Sequence, residues 1–261
     1  MYEPGAGGKP EGEDRMEIGK LQYRSHRGGV YYTPENTMPA FRDALEKGFA
    51  QIETDPNFTR DGVVVLLHDD TLNRTCRMPD GSPLSKPVRL RDITYEELMT
   101  FDAGIAMGEK FRGTKVPRLD ELLAAAEGRD TIISLDKKIE DEHLEKLFSV
   151  VEKYKTKVSF SCKDIARIQK IQARFPDALI DYDGNTTDEE LEQVCKIVRP
   201  ENLQVWLYMD RPNFSWLTDR VKASHAHCAR VKKYARLCLA NINNPYDMQE
   251  ALSYEPDAIE I

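Results

Sequence analysis

Residues 50–70, AQIETDPNFTRDGVVVLLHDD, form the stretch that decides how the chain folds. They predict a strand, a tight turn at Asp61, and a second, apolar strand that ends at His68. Side chains two apart on a strand point the same way, so Glu53 and Asp55 share one face. Acidic pairs usually lie on a solvated face, and burying one costs free energy unless a cation or a proton compensates it. Two carboxylates and a histidine delivered by one hairpin therefore suggest a metal-assisted site.

The rest of the chain alternates between strands and helices. With the hairpin counted as one unit, the patterns predict eight strand units; the other seven are at residues 21–25, 131–136, 157–161, 178–182, 203–209, 236–242 and 257–261. Helices are predicted between them, including one that opens at residues 33–36 and one over residues 217–234. This order, in a chain of 261 residues, predicts an α/β fold of the (β/α)₈ TIM barrel type. A doubly wound open sheet is the alternative.

Two segments depart from the alternation. Residues 69–117 are dense in Gly, Pro, Ser and charge, with one short helix predicted at 95–100, which indicates a small insertion after the second strand unit. Residues 1–20 are rich in Gly, Glu, Lys and Pro and are predicted to be a flexible N-terminal lead-in. Residues 21–261 are therefore expected to form a single barrel domain.

The overall composition restricts the partners of the chain. A formal charge of -8 argues against nucleic acid or an anionic membrane as the main partner. No apolar run is long enough to predict a transmembrane segment, and the first residues lack the apolar core of a signal peptide. Five scattered cysteines without CxxC spacing fit reduced thiols. We therefore expect a cytoplasmic protein acting on a small molecule, with a secreted mature form left open.

Three carboxylates follow or end neighbouring strands of the predicted barrel. Glu53 and Asp55 belong to the second unit, and Asp136 ends the third, in the sequence ISLDKK. Reactive groups of such barrels lie where strands end and loops begin. Carboxylate oxygens from neighbouring strands can bind a hard divalent cation, with water or phosphate oxygens completing its coordination. These residues are the predicted metal ligands.

Two histidines and two basic residues flank these carboxylates. His26 and Arg27 end the first strand, and Lys138 follows Asp136 by two residues. Arg27 and Lys138 would supply the local positive charge that phosphate binding needs in an acidic chain. Two imidazoles, His26 and His68, suit proton transfer to and from phosphoester oxygens. Together with a cation, these groups fit phosphodiester hydrolysis, and which histidine is acid and which is base stays open.

The order of these motifs resembles the glycerophosphodiester phosphodiesterase family. The resemblance is carried by SHRGG, TPENTMPAF, IETDPNFTRDGVVVLLHDDTLNRT, DAGIAMGEKFRGTKVPRLDELL and ISLDKK, which lie in this order between residues 25 and 138. It implies a TIM barrel with a small insertion, one Mg²⁺ or Ca²⁺ ion, and cleavage of glycerophosphodiesters to sn-glycerol 3-phosphate and an alcohol. It also implies the same roles for the site residues: His26 and His68 as catalytic residues, Arg27 and Lys138 on the phosphate, and Glu53, Asp55 and Asp136 on the metal.

The chain departs from the family pattern near its C-terminal end. Ala240 stands where the family usually has a tryptophan, and Trp206 and Tyr208 are candidates for a replacement aromatic wall. The sequence ends at Ile261, directly after the eighth predicted strand and without a closing helix, so we expect an exposed apolar flank there. Two alternative functions stay open: a phosphodiesterase of the lysophospholipase D or sphingomyelinase D kind acting on lysolipids, and a barrel that binds phosphate-containing ligands without turnover.

Overall fold

The computed structural model describes residues 21–211 and 221–261, in which eight parallel strands close into a barrel. In chain order the strands are β1 (Gln22–Ser25), β2 (Gln51–Thr54), β3 (Pro56–Phe58), β4 (Val64–Leu66), β5 (Ile132–Leu135), β6 (Val158–Cys162), β7 (Leu179–Tyr182), β8 (Leu203–Tyr208), β9 (Arg236–Ala240) and β10 (Ala258–Glu260). Around the barrel the order is β1, β2, β5, β6, β7, β8, β9, β10. The predicted (β/α)₈ barrel is confirmed, and the open sheet is excluded. The predicted lead-in at residues 1–20 lies outside the described residues.

The helices in the described residues are α1 (Met38–Glu46), α2 (Tyr95–Leu98), α3 (Leu119–Ala126), α4 (Leu144–Val151), α5 (Ile165–Arg174), α6 (Asp188–Cys195), α7 (His225–Val231) and α8 (Pro245–Ser253). Seven of these helices pack around the barrel strands, and the short α2 belongs to the insertion, where Leu98 is buried. The buried faces of α3 and α4, among them Leu122, Leu147 and Phe148, join the main hydrophobic core. Side-chain caps fix several helix starts; Asp164 and Thr187, for example, accept backbone N–H bonds of α5 and α6. None of the described helices is long and apolar enough to span a bilayer.

The hairpin predicted at residues 50–70 divides into two structures. β2 belongs to the barrel and pairs with β1 and β5, whereas β3 and β4 form a separate antiparallel pair. The interpretation of residues 50–58 as one strand is therefore wrong. The backbone leaves the barrel at Asp55, whose carbonyl accepts the N–H of Leu67 at 2.9 Å. This contact holds the end of β4, and with it His68, over the carboxyl end of β2.

The insertion packs on one face of β4 through a hydrophobic cluster of its own. Val64 and Leu66 face the main core, while Val65 and Leu67 face the second cluster, as the two-residue period of a strand requires. We call this second cluster and the residues that carry it the satellite; its buried members are Val65, Leu67, Leu72, Cys76, Leu90, Leu98, Ala103 and Val116. The insertion is thus an ordered structure attached to the barrel through β4.

Three local expectations are corrected by the structure. α1 begins at Met38, because Asn36 has a φ of 53° and so cannot belong to a right-handed helix. The helix expected over residues 217–234 exists only as α7; residues 221–224 are not helical, and residues 217–220 lie outside the described part of the chain. β10 pairs with both β1 and β9, and Ala258 and Ile259 are fully buried, so the expected exposed apolar flank is wrong at these residues.

Candidate active site

A cavity of about 370 Å³ opens at the carboxyl ends of the barrel strands and contains most of the predicted site. Its walls include six of the seven predicted residues, namely His26, Arg27, Glu53, Asp55, His68 and Asp136. The seventh, Lys138, contacts one of them: its Nζ lies 3.1 Å from Nε2 of His68. Four barrel or hairpin segments that are distant in sequence therefore deliver these groups to one place.

Glu53 and Asp55 are buried carboxylates beside a third acid, Asp136. Burial raises the pKa of Glu53 well above its usual value, and the charges of Asp55, Glu260 and Asp136 raise it further. The pKa of Asp55 is also raised, by burial and then by Asp136. Such mutual repulsion is relieved by a proton or a cation. The donor set, three carboxylates on one cavity, thus has the chemistry of a site for a hard cation.

The same carboxylates are partly held by protein donors. The backbone N–H of Arg27 donates to Glu53 Oε2 at 2.9 Å, and the side-chain amide of Asn36 donates to Asp55 Oδ2 at 2.7 Å. Within residues 21–211 and 221–261, no group of three or more His, Cys, Asp or Glu side chains is arranged to hold a metal ion as it stands.

The contacts of His68 define where its proton lies. The Lys138 ammonium has no lone pair, so it donates to Nε2 of His68 at 3.1 Å. The proton of the neutral imidazole is then on Nδ1, which donates to Asp69 Oδ1 at 2.6 Å. Hydrogen bonds from Arg74 lower the pKa of Asp69 to about 2, with a further contribution from His68. Asp69 thus stays ionised and holds the imidazole through Nδ1.

His26 lies next to Glu53 on the wall of the same cavity. Its Nε2 lies 3.9 Å from Oε2 of Glu53, and about a third of its side-chain surface, 35%, is exposed. Burial lowers the pKa of His26, although the charge of Glu260 acts in the opposite direction. The neutral imidazole is therefore favoured. In this state His26 can accept a proton.

Arg27 reaches the cavity through a sharp backbone turn. Arg27 has a φ of 50°, and Gly28 follows with a φ of 81°. A Cβ at Gly28 would lie 2.9 Å from both Ala40 and Phe41, so this position requires glycine. The Arg27 guanidinium contacts Glu35 at 2.9 Å and Asp55 at 3.4 Å. These acids orient it toward the site.

The sequence interpretation missed the roles of Glu35 and Asn36, which it assigned to a helix start. Glu35 binds Arg27, and Asn36 contacts Asp55 and Thr54, accepting the Thr54 hydroxyl at 2.7 Å. Pro39, the second residue of α1, was a usable signal, because proline favours the first turn of a helix. It indicates that the helix begins near residue 38 and leaves residues 33–36 free to enter the site.

The far wall of the cavity combines aromatic and charged side chains. The Arg24 guanidinium lies 3.2 Å from the ring centroid of Trp206 and pairs with Glu260 at 2.7 Å. The Trp206 indole N–H donates to Asp181 at 3.2 Å. Trp206 and Tyr208 both line the cavity, and Ala240 packs in the same cluster as Trp206. These two side chains provide an aromatic wall in this region.

Comparisons with known proteins agree with this architecture. A sequence model described as the Glycerophosphoryl diester phosphodiesterase family matches residues 26–259. The chain belongs to this family. This confirms the resemblance found in the sequence motifs, and the cavity residues described above lie within the matched region or, for Arg24 and Glu260, within two residues of it.

Among members of the glycerophosphoryl diester phosphodiesterase family, two curated relatives align with less than half of the chain. The glycerophosphodiester phosphodiesterase of Caldanaerobacter subterraneus is 38% identical over 112 residues, which is 43% of this chain and 43% of the relative. Human glycerophosphodiester phosphodiesterase 1 is 36% identical over 116 residues, 44% of this chain and 33% of the relative. The matches therefore span less than half the length of these relatives.

Solved structures share the fold over nearly the whole chain. A putative glycerophosphoryl diester phosphodiesterase from Silicibacter pomeroyi superimposes with a TM-score of 0.74 at 21% identity, covering 92% of this chain and 89% of that one. A phosphodiesterase from Oleispira antarctica, solved in complex with the product sn-glycerol-3-phosphate, has a TM-score of 0.73 at 19% identity and covers 92% of both chains. At these identities the likeness establishes the barrel fold.

Proposed function

We propose that this protein hydrolyses glycerophosphodiesters to sn-glycerol 3-phosphate and an alcohol with the help of a divalent cation. The observation that carries the proposal is the cavity that joins the two imidazoles, His26 and His68, to three carboxylates. Family membership and the product complex of the Oleispira antarctica phosphodiesterase support the same substrate class. A barrel that only binds phosphate ligands has no need of two proton-transfer groups.

Glu53, Asp55 and Asp136 are the proposed ligands of the cation. All three line one cavity, and the raised pKa values of Glu53 and Asp55 support the assignment, because burial and neighbouring negative charge make a cation favourable there. Carboxylate oxygens favour Mg²⁺ or Ca²⁺ over softer metals. When bound, such an ion neutralises charge that develops on the phosphoryl oxygens.

Arg27 and Lys138 are the proposed phosphate-binding residues. The Arg27 guanidinium already lines the cavity, and its buried Nε, 3.4 Å from Oδ2 of Asp55, makes no hydrogen bond to the described residues. Lys138 at present donates to Nε2 of His68. A phosphate oxygen is a stronger acceptor for an ammonium than an imidazole. Substrate binding would thus draw Lys138 away and free Nε2 of His68.

This exchange suggests how the two histidines divide the proton transfers. His68, whose Nε2 is unprotonated, is the proposed proton acceptor. His26 is the proposed proton donor to the leaving alcohol. Burial lowers its pKa in the ligand-free chain, but a bound phosphodiester anion would raise it again by stabilising the imidazolium. Proton transfer of this kind contributes about 10²–10⁴-fold to a rate.

The test is hydrolysis of glycerophosphocholine by purified wild-type, His26→Ala and His68→Ala proteins. Each substitution should abolish detectable turnover with an unchanged circular dichroism spectrum. His143→Ala is the matched control, since His143 lies against Phe58 outside the cavity. EDTA should inactivate the wild type, and Mg²⁺ or Ca²⁺ should restore it. Full activity in either histidine variant removes the acid/base assignment, and full activity in chelator removes the cation.

One observation favours a second substrate class, lysolipids. Tyr31 and Tyr32 are 59% and 78% exposed in the loop after Arg27, and they line a further cavity of about 260 Å³ with Phe49 and Ile242. Tyrosine suits a boundary between water and lipid. A panel of glycerophosphodiesters and choline lysolipids, with both products identified, would separate the two classes. Hydrolysis of lysolipids alone would favour the second.

A further inference from the structure

Arg74, in the insertion, binds two carboxylates at once. Its Nη1 and Nη2 donate to the two oxygens of Glu35, both at 2.7 Å. Its Nε and Nη2 donate to the two oxygens of Asp69, at 2.7 and 3.0 Å. Three of the four contacts, at 2.7 Å, have the short, charge-assisted length of guanidinium and carboxylate pairs. A single side chain thereby fixes the positions of two acids that are 34 residues apart in the sequence.

Each of these acids also holds a residue of the proposed reaction. Glu35 Oε1 accepts from Nη1 of Arg27 at 2.9 Å, and Asp69 Oδ1 accepts from Nδ1 of His68 at 2.6 Å. Arg74 therefore lies at the centre of an ion-pair network that has the proposed phosphate-binding arginine at one end and the proposed proton acceptor at the other. The ion-pair network joins the loop after β1 of the barrel to the satellite.

The exposure of Arg74 indicates that the ion-pair network positions side chains more than it stabilises the fold. The side chain of Arg74 is 46% exposed, against 16% for Glu35 and 27% for Asp69. Exposed ion pairs contribute little to unfolding free energy, because water screens the charges. By contrast, a displacement of about 1 Å at a reacting group can lower a rate about 10²-fold.

We propose that Arg74 is a positioning residue that sets the separation and orientation of Arg27 and His68 through Glu35 and Asp69. This inference rests on the function proposed above for Arg27 and His68. It predicts that loss of Arg74 affects both phosphate binding and proton transfer. A merely structural arginine would affect neither without a change in stability.

The experiment compares Arg74→Gln with a matched arginine of the same insertion. Arg112 makes similar paired contacts with Glu109, at 2.5 and 2.9 Å, and like Arg74 it is not among the cavity-lining residues, but Glu109 is not one of the two acids that bind Arg27 and His68. With glycerophosphocholine, Arg74→Gln should lower kcat/KM about 10–100-fold while Tm stays within about 2 °C of wild type. Arg112→Gln should match wild type in both. Arg74→Lys should fall between, because an ammonium cannot bind two carboxylates in paired fashion.

Two single variants separate the two branches of the ion-pair network, one through Glu35 and one through Asp69. Glu35→Gln should act mainly on KM, through Arg27, and Asp69→Asn mainly on kcat, through His68. When both acids are replaced, adding Arg74→Gln should change kcat/KM by less than about twofold, because its two partners are already absent. An additional large loss in that background would overturn the proposal, as would an Arg74→Gln enzyme as active as Arg112→Gln.

A spectroscopic readout keeps the inference independent of turnover. The NMR signal of the Nδ1-bound proton of His68 should report a short hydrogen bond to Asp69 in the wild type and a weaker one in Arg74→Gln, because Arg74 then no longer holds Asp69 in place. An unchanged signal in the folded variant would overturn the positioning role. If the wild type hydrolyses no glycerophosphodiester, the proposed function fails, while this measurement still decides whether Arg74 orients His68. If Arg74→Gln does not fold, Arg74→Lys takes its place in both measurements.

Discussion

Replacing Asn36 by alanine should destabilise the fold strongly, although the residue is absent from every helix and strand. Asn36 is 3% exposed and has a left-handed φ of 53°. Its amide donates to Asp55 at 2.7 Å, and its carbonyl oxygen accepts the Thr54 hydroxyl at 2.7 Å and the Asp55 N–H at 3.3 Å. One side chain thus holds the loop before α1 against the end of β2.

The expected loss follows from these contacts. A hydrogen bond to a carboxylate contributes about 1.5–3 kcal/mol, and the two neutral bonds contribute about 1 kcal/mol each. Alanine at a left-handed φ costs about 1 kcal/mol more than asparagine or glycine. Asn36→Ala should therefore lower the unfolding free energy by about 5 kcal/mol. Asn36→Gly, which loses the same bonds without the backbone strain, should lose about 4 kcal/mol.

Urea unfolding in the presence of chelator, followed by far-ultraviolet circular dichroism, measures both values. The order of the two variants tests the backbone argument, and the size of the shared loss tests the hydrogen-bond argument. Asn36→Ala within about 1 kcal/mol of wild type would refute the reasoning, since the contacts would then contribute almost nothing. Asn36→Gly less stable than Asn36→Ala would show that the left-handed backbone is not what the alanine disturbs.

Three further outcomes follow from burial and pKa. The pKa of Glu53 is raised in the folded protein, so this carboxyl contributes its full free energy to folding only below pH 4.5, and the contribution is lost as the pH rises. Glu53→Gln should therefore raise the Tm at pH 7 in the presence of chelator. A lower Tm would contradict this. The pKa of Asp69 is lowered from 3.8 to about 2 in the folded protein, so the contribution of this carboxylate to the unfolding free energy is present above pH 3.8 and disappears as the pH falls toward 2. The difference in unfolding free energy between wild type and Asp69→Asn should therefore shrink over this range, and a pH-independent difference would contradict this. Leu90→Ala, in the fully buried centre of the satellite, should cost about 2–5 kcal/mol by urea unfolding, and a loss under about 1 kcal/mol would contradict the second core.

The strand ends of the barrel were predictable because two simple rules meet there. A strand alternates its faces, and the carboxyl ends of parallel strands share one edge. These rules brought together Glu53, Asp55 and Asp136, and the structure places all three on one cavity. His68 also lines this cavity, as expected, although the hairpin that carries it lies outside the barrel sheet.

The contacts that the sequence did not reveal come from residues without local periodicity. Asn36 and Glu35 precede a helix and look like its first turn, but their partners lie 19 and 39 residues away, at Asp55 and Arg74. Arg74 lies within a motif that carries the family resemblance, but its stretch has no repeating pattern, so the sequence does not show which side chains it contacts. Tertiary partners of this kind become visible only when the backbone is known.

The double role of β4 restricts how the insertion can change. Val64 and Leu66 fill one hydrophobic cluster and Val65 and Leu67 the other, so a shift of one residue would exchange the two inner faces. The register of this short strand is therefore locked from both sides, and His68 is carried two residues beyond its end. Remote loops of the insertion, such as those that carry the exposed Met78 and Met107, are free to diverge in length without displacing the histidine.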